Sequence, residues 1–190
     1  MASIASIDDL GGGEHCEAML SERQRTAGTK IGMASTADTG ATPMNEWTRH
    51  GYTITTDQAR FDLDVIYRFL SGDSYWARGM PREVFDRSIC NSLCFGLLSG
   101  DRQVGFARVI SDMATIAYLG DVFIAPEHRG KGLSKWLMEC VMTHPSLQGL
   151  RRWILVTADA HGVYERVGFG PLKAPERYME KHDPEVYRRS

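Results

Sequence analysis

The stretch from Val122 to Ser134, VFIAPEHRGKGLS, concentrates residue types that hold anions. An apolar run ends at Pro126, and a turn with two cations and two glycines follows: Arg129, Gly130, Lys131 and Gly132. Apolar residues then recur at Leu133, Trp136, Leu137, Cys140 and Val141, the spacing of one helical face. A helix opening here leaves the backbone N–H groups of its first turn without intrahelical partners, and its dipole makes that end positive. Glycines 130 and 132 let a ligand come close to the backbone. The arrangement suits a pyrophosphate. Spacing narrows the choice of ligand. A Walker A loop needs Gly-Lys-Ser/Thr, whereas Lys131 precedes Gly132. A dinucleotide fingerprint needs a third glycine where Lys135 stands.

With these residues in view, Glu127-His128-Arg129-Gly130-Lys131-Gly132 resembles the Q/R-x-x-G-x-G/A acetyl-CoA motif of the GNAT N-acetyltransferases. Glu127 takes the usual Gln/Arg position, and Ser134 stands where a further glycine is common. About thirty residues later, Ala160-His161-Gly162-Val163-Tyr164-Glu165-Arg166-Val167-Gly168-Phe169 is similar to the family's A-x-x-L-Y-E-K-L-G-F segment. The Asn frequent seven residues before the Tyr is Thr157 here, which leaves one cofactor contact open. The resemblance covers roughly residues 50 to 182. It implies that the backbone of Arg129, Gly130, Lys131, Gly132, Leu133 and Ser134 holds the CoA pyrophosphate. It further implies that Val122, Phe123 and Ile124 pair with the pantetheine arm as an added strand does.

The reaction so implied, acetyl transfer from acetyl-CoA to a primary amine, needs a proton for the departing thiolate and a neutral amine. Tyr164 suits the acid, because a phenol can protonate a thiolate as it forms. Asp121 is a carboxylate inside an apolar run, just after Gly120, where the family carries a strand bulge. A buried charge must be paired or used. Asp121 is therefore either the base, its pKa raised by desolvation, or an amine-binding group, or else it makes a structural hydrogen bond or ion pair. Asp159 and His161, at the mouth of the second block, are rivals for the base, and His161 is also a candidate acceptor contact. Tyr75 and Trp76, adjacent aromatics in a polar loop, suit an apolar or cationic acceptor. Tyr164 and the complete glycine turn favour catalysis over a CoA-binding module without chemistry.

These residues need a scaffold. Tyr52 to Thr56 reads as a strand, Phe61 to Leu70 and Pro81 to Ser92 as helices. Strands follow at Leu93 to Leu98 and Gln103 to Ile110 around Ser99-Gly100-Asp101-Arg102. Ile116 to Ala125 reads as a central strand buried on both faces. A helix from Gly132 to His144, a strand from Trp153 to Thr157, a helix from Ala160 to Val167 and a last strand from Arg177 to Lys181 complete the pattern. The fold class is α/β (α+β). The pattern is that of a mixed sheet with helices on both faces, and the resemblance implies that it is GNAT-type and mostly antiparallel.

The chain has 190 residues, 43% hydrophobic and 24% charged, with net charge −2. That balance gives no general attraction to nucleic acid or anionic membrane. Residues 1–45, with Gly11-Gly12-Gly13 and few large apolar groups, read as a flexible tail; residues 46–190 read as the catalytic domain. The four cysteines, Cys16, Cys90, Cys94 and Cys140, show no CxxC pair and no zinc spacing, so no metal is expected and a reduced, cytoplasmic protein is. No run is long enough for a membrane span. The acceptor is a small-molecule or protein amine, and analogy with the family allows a homodimer.

Overall fold

The computed structural model describes Met44 to Arg189. Of the expected tail, residues 1–43 lie outside the described residues.

Two strands form the first hairpin, β1 (Glu46–Arg49) and β2 (Tyr52–Thr55). The turn residues His50 and Gly51 both have positive φ, 49° and 78°, matching the twist that two-residue hairpins favour. The sequence pattern does not announce β1, because Trp47 is its one large apolar residue. That indole stacks on Phe95, ring centres 6.2 Å apart.

The helix α1 (Leu63–Arg68) starts at Asp62, whose carboxylate accepts from the Val65 N–H at 3.0 Å, and it widens into a π turn over Phe69–Asp73. A loop leads to α2 (Arg82–Cys90), entered through Pro81. Then β3 (Leu93–Ser99), β4 (Arg102–Ser111) and β5 (Ile116–Ile124) run as an antiparallel meander. After α3 (Leu133–Met142), β6 (Arg152–Ile154) joins β5 in parallel, and α4 (His161–Glu165) follows. The six strands lie side by side in chain order.

Both faces of this sheet are covered. On one, Ile66 and Leu70 from α1 and its π turn and Phe85 and Ile89 from α2 bury against Phe106 and Phe123. On the other, Leu133, Leu137 and Val141 of α3 bury against Phe95, Val109 and Leu119. Each such fully buried side chain contributes about 1.5–3 kcal/mol by leaving water. This is the mixed, mostly antiparallel architecture expected from the sequence.

Two expectations need correction. The run from Ile116 to Ala125 is not buried on both faces: Ile116 and Tyr118 are 39% and 37% exposed, while Ala117 and Leu119 are buried. Of β5, Phe123 alone joins the cluster under α1 and α2, so the first half of the strand has no helix over that face. The strand expected at 177–181 is absent; a 3₁₀ turn ends at Arg177 and no strand follows β6 among the described residues. Met179 is 99% exposed, so pairing there would bury too little apolar surface to offset the ordering cost. Among the described residues no helix is long and apolar enough to cross a membrane.

Candidate active site

The site begins with an irregularity in β5. Register runs Phe106 to Phe123 and Arg108 to Gly120, so Ala107 alone faces both Asp121 and Val122. The extra residue forms a bulge, and Asp121 takes it up with φ of 53°. The irregularity expected at Gly120 thus falls one residue later. Aspartate tolerates the left-handed region better than most side chains. The bulge reverses which residues point to which face. Ala117 and Leu119 pack toward α3, whereas beyond it Ile124 does so and Phe123 turns to the α1–α2 side.

The second irregularity is a parting of strands. Pairing of β5 with β6 ends at Tyr118 and Ile154. The chains then diverge around a cavity of about 490 Å³. Val122, Phe123 and Ile124 form one wall, and Asp159, Ala160, Val163 and Tyr164 form the other. Phe69, Asp73, Ser74, Tyr75 and Trp76 close a third side. The turn before α3 lies at one end with His128, Arg129, Gly130, Gly132, Leu133 and Ser134.

That turn has the conformation its glycines permit. Gly130 and Gly132 have φ of 75° and 74°, and Gly132 caps α3 without a side-chain bond. An added Cβ at either would meet nothing within 4 Å, so glycine serves the backbone conformation rather than local packing. The first intrahelical bond is Trp136 N–H to the Gly132 carbonyl, 3.1 Å, which leaves the preceding N–H groups to an external acceptor. The Arg129 guanidinium donates through Nε to the Ile124 carbonyl at 3.0 Å, pinning the turn to the end of β5. Lys131 does not line the cavity; its Nζ reaches the Tyr52 hydroxyl at 3.3 Å, beside the His128 Nδ1 contact at 3.0 Å.

Opposite, Tyr164 is half-buried in α4, its ring edge-on to Phe169. Burial is the main cause that raises its pKa above the ordinary phenol value, with Tyr75, Asp159 and Tyr118 adding to it. In the turn before this helix the Thr157 Oγ1 accepts from the Ala160 N–H at 3.1 Å, and His161 is exposed. Neither lines the cavity.

Tyr75 and Trp76 do line it, though they are 55% and 42% exposed. Their rings meet edge to face at 5.0 Å. The Tyr75 hydroxyl accepts from the Ala158 N–H at 3.0 Å, and the Trp76 indole N–H donates to Asp121 Oδ1 at 3.1 Å. The other oxygen of Asp121 accepts from Arg108 Nε at 2.5 Å. The sequence left Asp121 as base or amine contact, or as a structural hydrogen bond or ion pair, and its geometry is that of the ion pair; it is not on the cavity wall. Arg108 was not singled out from the sequence. It is the one charge in Gln103 to Ile110, as Asp121 is in Ile116 to Ala125, and two lone opposite charges in successive apolar strands are the signal that would find it. Asp73, Phe69, His128 and Val163 also line the cavity, though the sequence assigned them no role of their own.

An anion-ready turn, a strand edge released from its neighbour and a phenol across the gap meet around one cavity. The sequence profile of the Acetyltransferase (GNAT) family matches residues 61–169, and the chain belongs to that family. By class it is an acyl-CoA-dependent N-acetyltransferase. The chain is similar to a candidate acetyltransferase of Gibberella zeae, 36% identical over 139 residues, 62% of this chain and 77% of the relative. It is also similar to the crystal structure of a candidate GNAT acetyltransferase from Xanthomonas campestris pv. campestris, with 54% identity, TM-score 0.70, and coverage of 72% of this chain and 96% of that one. A candidate acetyltransferase from Deinococcus radiodurans R1, 20% identical with TM-score 0.57 over 73% of this chain and 91% of that one, shares the fold.

Proposed function

We propose that the protein transfers an acetyl group directly from acetyl-CoA to a primary amine of a small molecule or protein. The observation that carries this reading is the cavity itself, where the glycine turn and Tyr164 face one space across the parted strands. The N–H groups around Gly130 to Ser134 would hold the pyrophosphate, and the freed edge at Val122 to Ile124 would hold the pantetheine amides. Acetyl-CoA supplies an acetyl group activated as a thioester. Tyr164 gives its phenolic proton to the departing sulfur.

Asp121, held by Arg108 and Trp76, keeps the ion-pair role. The base role passes to Asp159, which lines the cavity and acts electrostatically on Tyr164. With Asp73 it makes the mouth acidic, and among the described residues neither carboxylate has a cationic partner. Such a mouth receives an amine in its ammonium form and takes its proton before attack. A cytoplasmic location, and a homodimer by analogy with the family, complete the proposal.

The test is thermal unfolding with acetyl-CoA, followed by a screen of primary amines for CoA thiol release. At a hundred-fold excess over Kd the ligand adds about 2.7 kcal/mol, or about 5–10 °C in a domain of this size. An unmoved melting curve at millimolar acetyl-CoA overturns the reading.

A further inference from the structure

We propose that Arg108 is a positioning residue for the acceptor side of the cavity: through Asp121 it fixes the indole of Trp76 in the wall. The proposal rests on the reading of this cavity as the transfer site. Tyr75 and Trp76 are exposed aromatics in a loop, so burial does not hold their rings in place. Hydrogen bonds at their tips do, to Ala158 N–H and to Asp121 Oδ1. The anchor for the indole is itself rigid. The side chains of Arg108 and Asp121 are 14% and 7% exposed, and at that depth neither charge is tolerated without the other.

The bulge aims this anchor. With φ of 53° at Asp121, the carboxylate lies beside Arg108 on the neighbouring strand. Arg108 also donates through Nη1 to Ser92 Oγ at 3.2 Å, and that hydroxyl donates to the Ser88 carbonyl at 2.8 Å. A chain of polar contacts therefore runs from the last turn of α2 across β4 and β5 to the loop before α2. It ties the aromatic wall to the strand pair whose far edge lines the cavity. A single charge-assisted bond, if lost, changes an equilibrium by about ten-fold or more, enough to set how often the indole is in place when an amine arrives.

The experiment compares Arg108→Met, Arg108→Lys and Trp76→Phe with the wild type. The first readout is solvent exchange of the Trp76 indole N–H by NMR, its resonance identified by its loss in Trp76→Phe. Arg108→Met should speed that exchange about ten-fold while the indole of buried Trp136 keeps its wild-type rate; Arg108→Lys should restore part of the protection. The second readout is acetylation of three probe amines: 1,4-diaminobutane, 2-phenylethylamine and Nα-acetyl-lysine amide. In both Arg108→Met and Trp76→Phe the KM for the probe should rise about ten-fold, with kcat and the KM for acetyl-CoA within about two-fold. Trp76→Phe alters an exposed side chain and so keeps the test alive if Arg108→Met does not fold. Unchanged indole exchange in Arg108→Met, or a wild-type probe KM in Trp76→Phe, overturns the proposal. If wild-type protein acetylates none of the three probes, indole exchange alone decides the positioning role, and the melting shift with acetyl-CoA decides the transfer reading separately.

Discussion

At the scale of single residues, Tyr164 matters through its proton. The phenol sits at the cavity wall with its pKa raised, chiefly by burial, so it stays protonated across the physiological range and its ionisation begins only above the ordinary phenol value near 10. An acid must be protonated to act, so this group places no limb in the pH–rate profile below that value. Tyr164→Phe keeps the ring against Phe169 and should lower kcat by about 10²-fold or more while acetyl-CoA binding changes little; full activity in that variant would make Tyr164 a packing residue. Asp159→Asn should lower kcat/KM for the amine by about 10²-fold, and an unchanged kcat/KM in this variant would move the base elsewhere. Tyr164 was legible in the sequence because its neighbours form a recognisable block. The partnership of Asp121 was legible only as an alternative, since a lone carboxylate in an apolar strand looks the same whether it is used as a base or neutralised by Arg108.

At the scale of elements, the turn before α3 and the end of that helix make opposite demands. Its start needs left-handed backbone at residues 130 and 132. Gly132→Val should cost about 1–2 kcal/mol of stability and abolish the thermal shift given by acetyl-CoA; a retained shift would show that the turn does not hold the ligand. Just past its end, His144 is fully buried between Trp47 and Phe95. Its Nδ1 accepts from the Ser146 N–H at 3.2 Å and its Nε2 lies 3.0 Å from the Asn45 amide. Burial lowers its pKa below that of an exposed imidazole, near 6.5. As pH falls below that value the unfolded chain binds this proton first, so stability must decrease with falling pH through the window between the two pKa values and be flat above it. Melting temperatures measured from pH 8 to pH 5 should show that decline, and His144→Gln should flatten it. The helices and the central meander were legible because their apolar periods are long. β1 and the absence of a strand at 177–181 were not, since three charged or polar residues around a lone tryptophan, and one exposed methionine, carry no usable period.

At the scale of the whole molecule, short hairpins join β1 to β2, β3 to β4 and β4 to β5, a longer link through α1 and α2 brings β3 beside β2, and the single parallel pairing follows from the crossover through α3. Chain-order neighbours are what such connections favour, which is why the fold class could be read before any coordinate was known. The parting of β5 and β6 could not be read so directly. It depends on β6 offering three residues to a nine-residue partner, a mismatch of lengths that periodicity does not display. The same view bears on how much of the chain the catalytic domain needs. Among the described residues its two hydrophobic clusters draw their buried members from Ile54 onward, and the hairpin that covers one sheet edge starts at Glu46. Asn45 also belongs to the domain, because its backbone carbonyl accepts from Thr56 N–H at 3.0 Å and its own N–H donates to Thr56 Oγ1 at 2.9 Å. A chain starting at Met44 therefore keeps all of these contacts, whereas one starting at Tyr52 loses β1, the Trp47 stack on Phe95 and the Asn45 contact to His144. We expect the first to unfold within about 2–4 °C of the full-length protein, the shift that 1 kcal/mol produces at this size, and to show the same acetyl-CoA shift. The second should be destabilised by about 3–5 kcal/mol, since a whole strand and the partly buried Trp47 are lost together. A large loss of stability already in the chain starting at Met44 would show that residues 1–43 contribute to the folded domain.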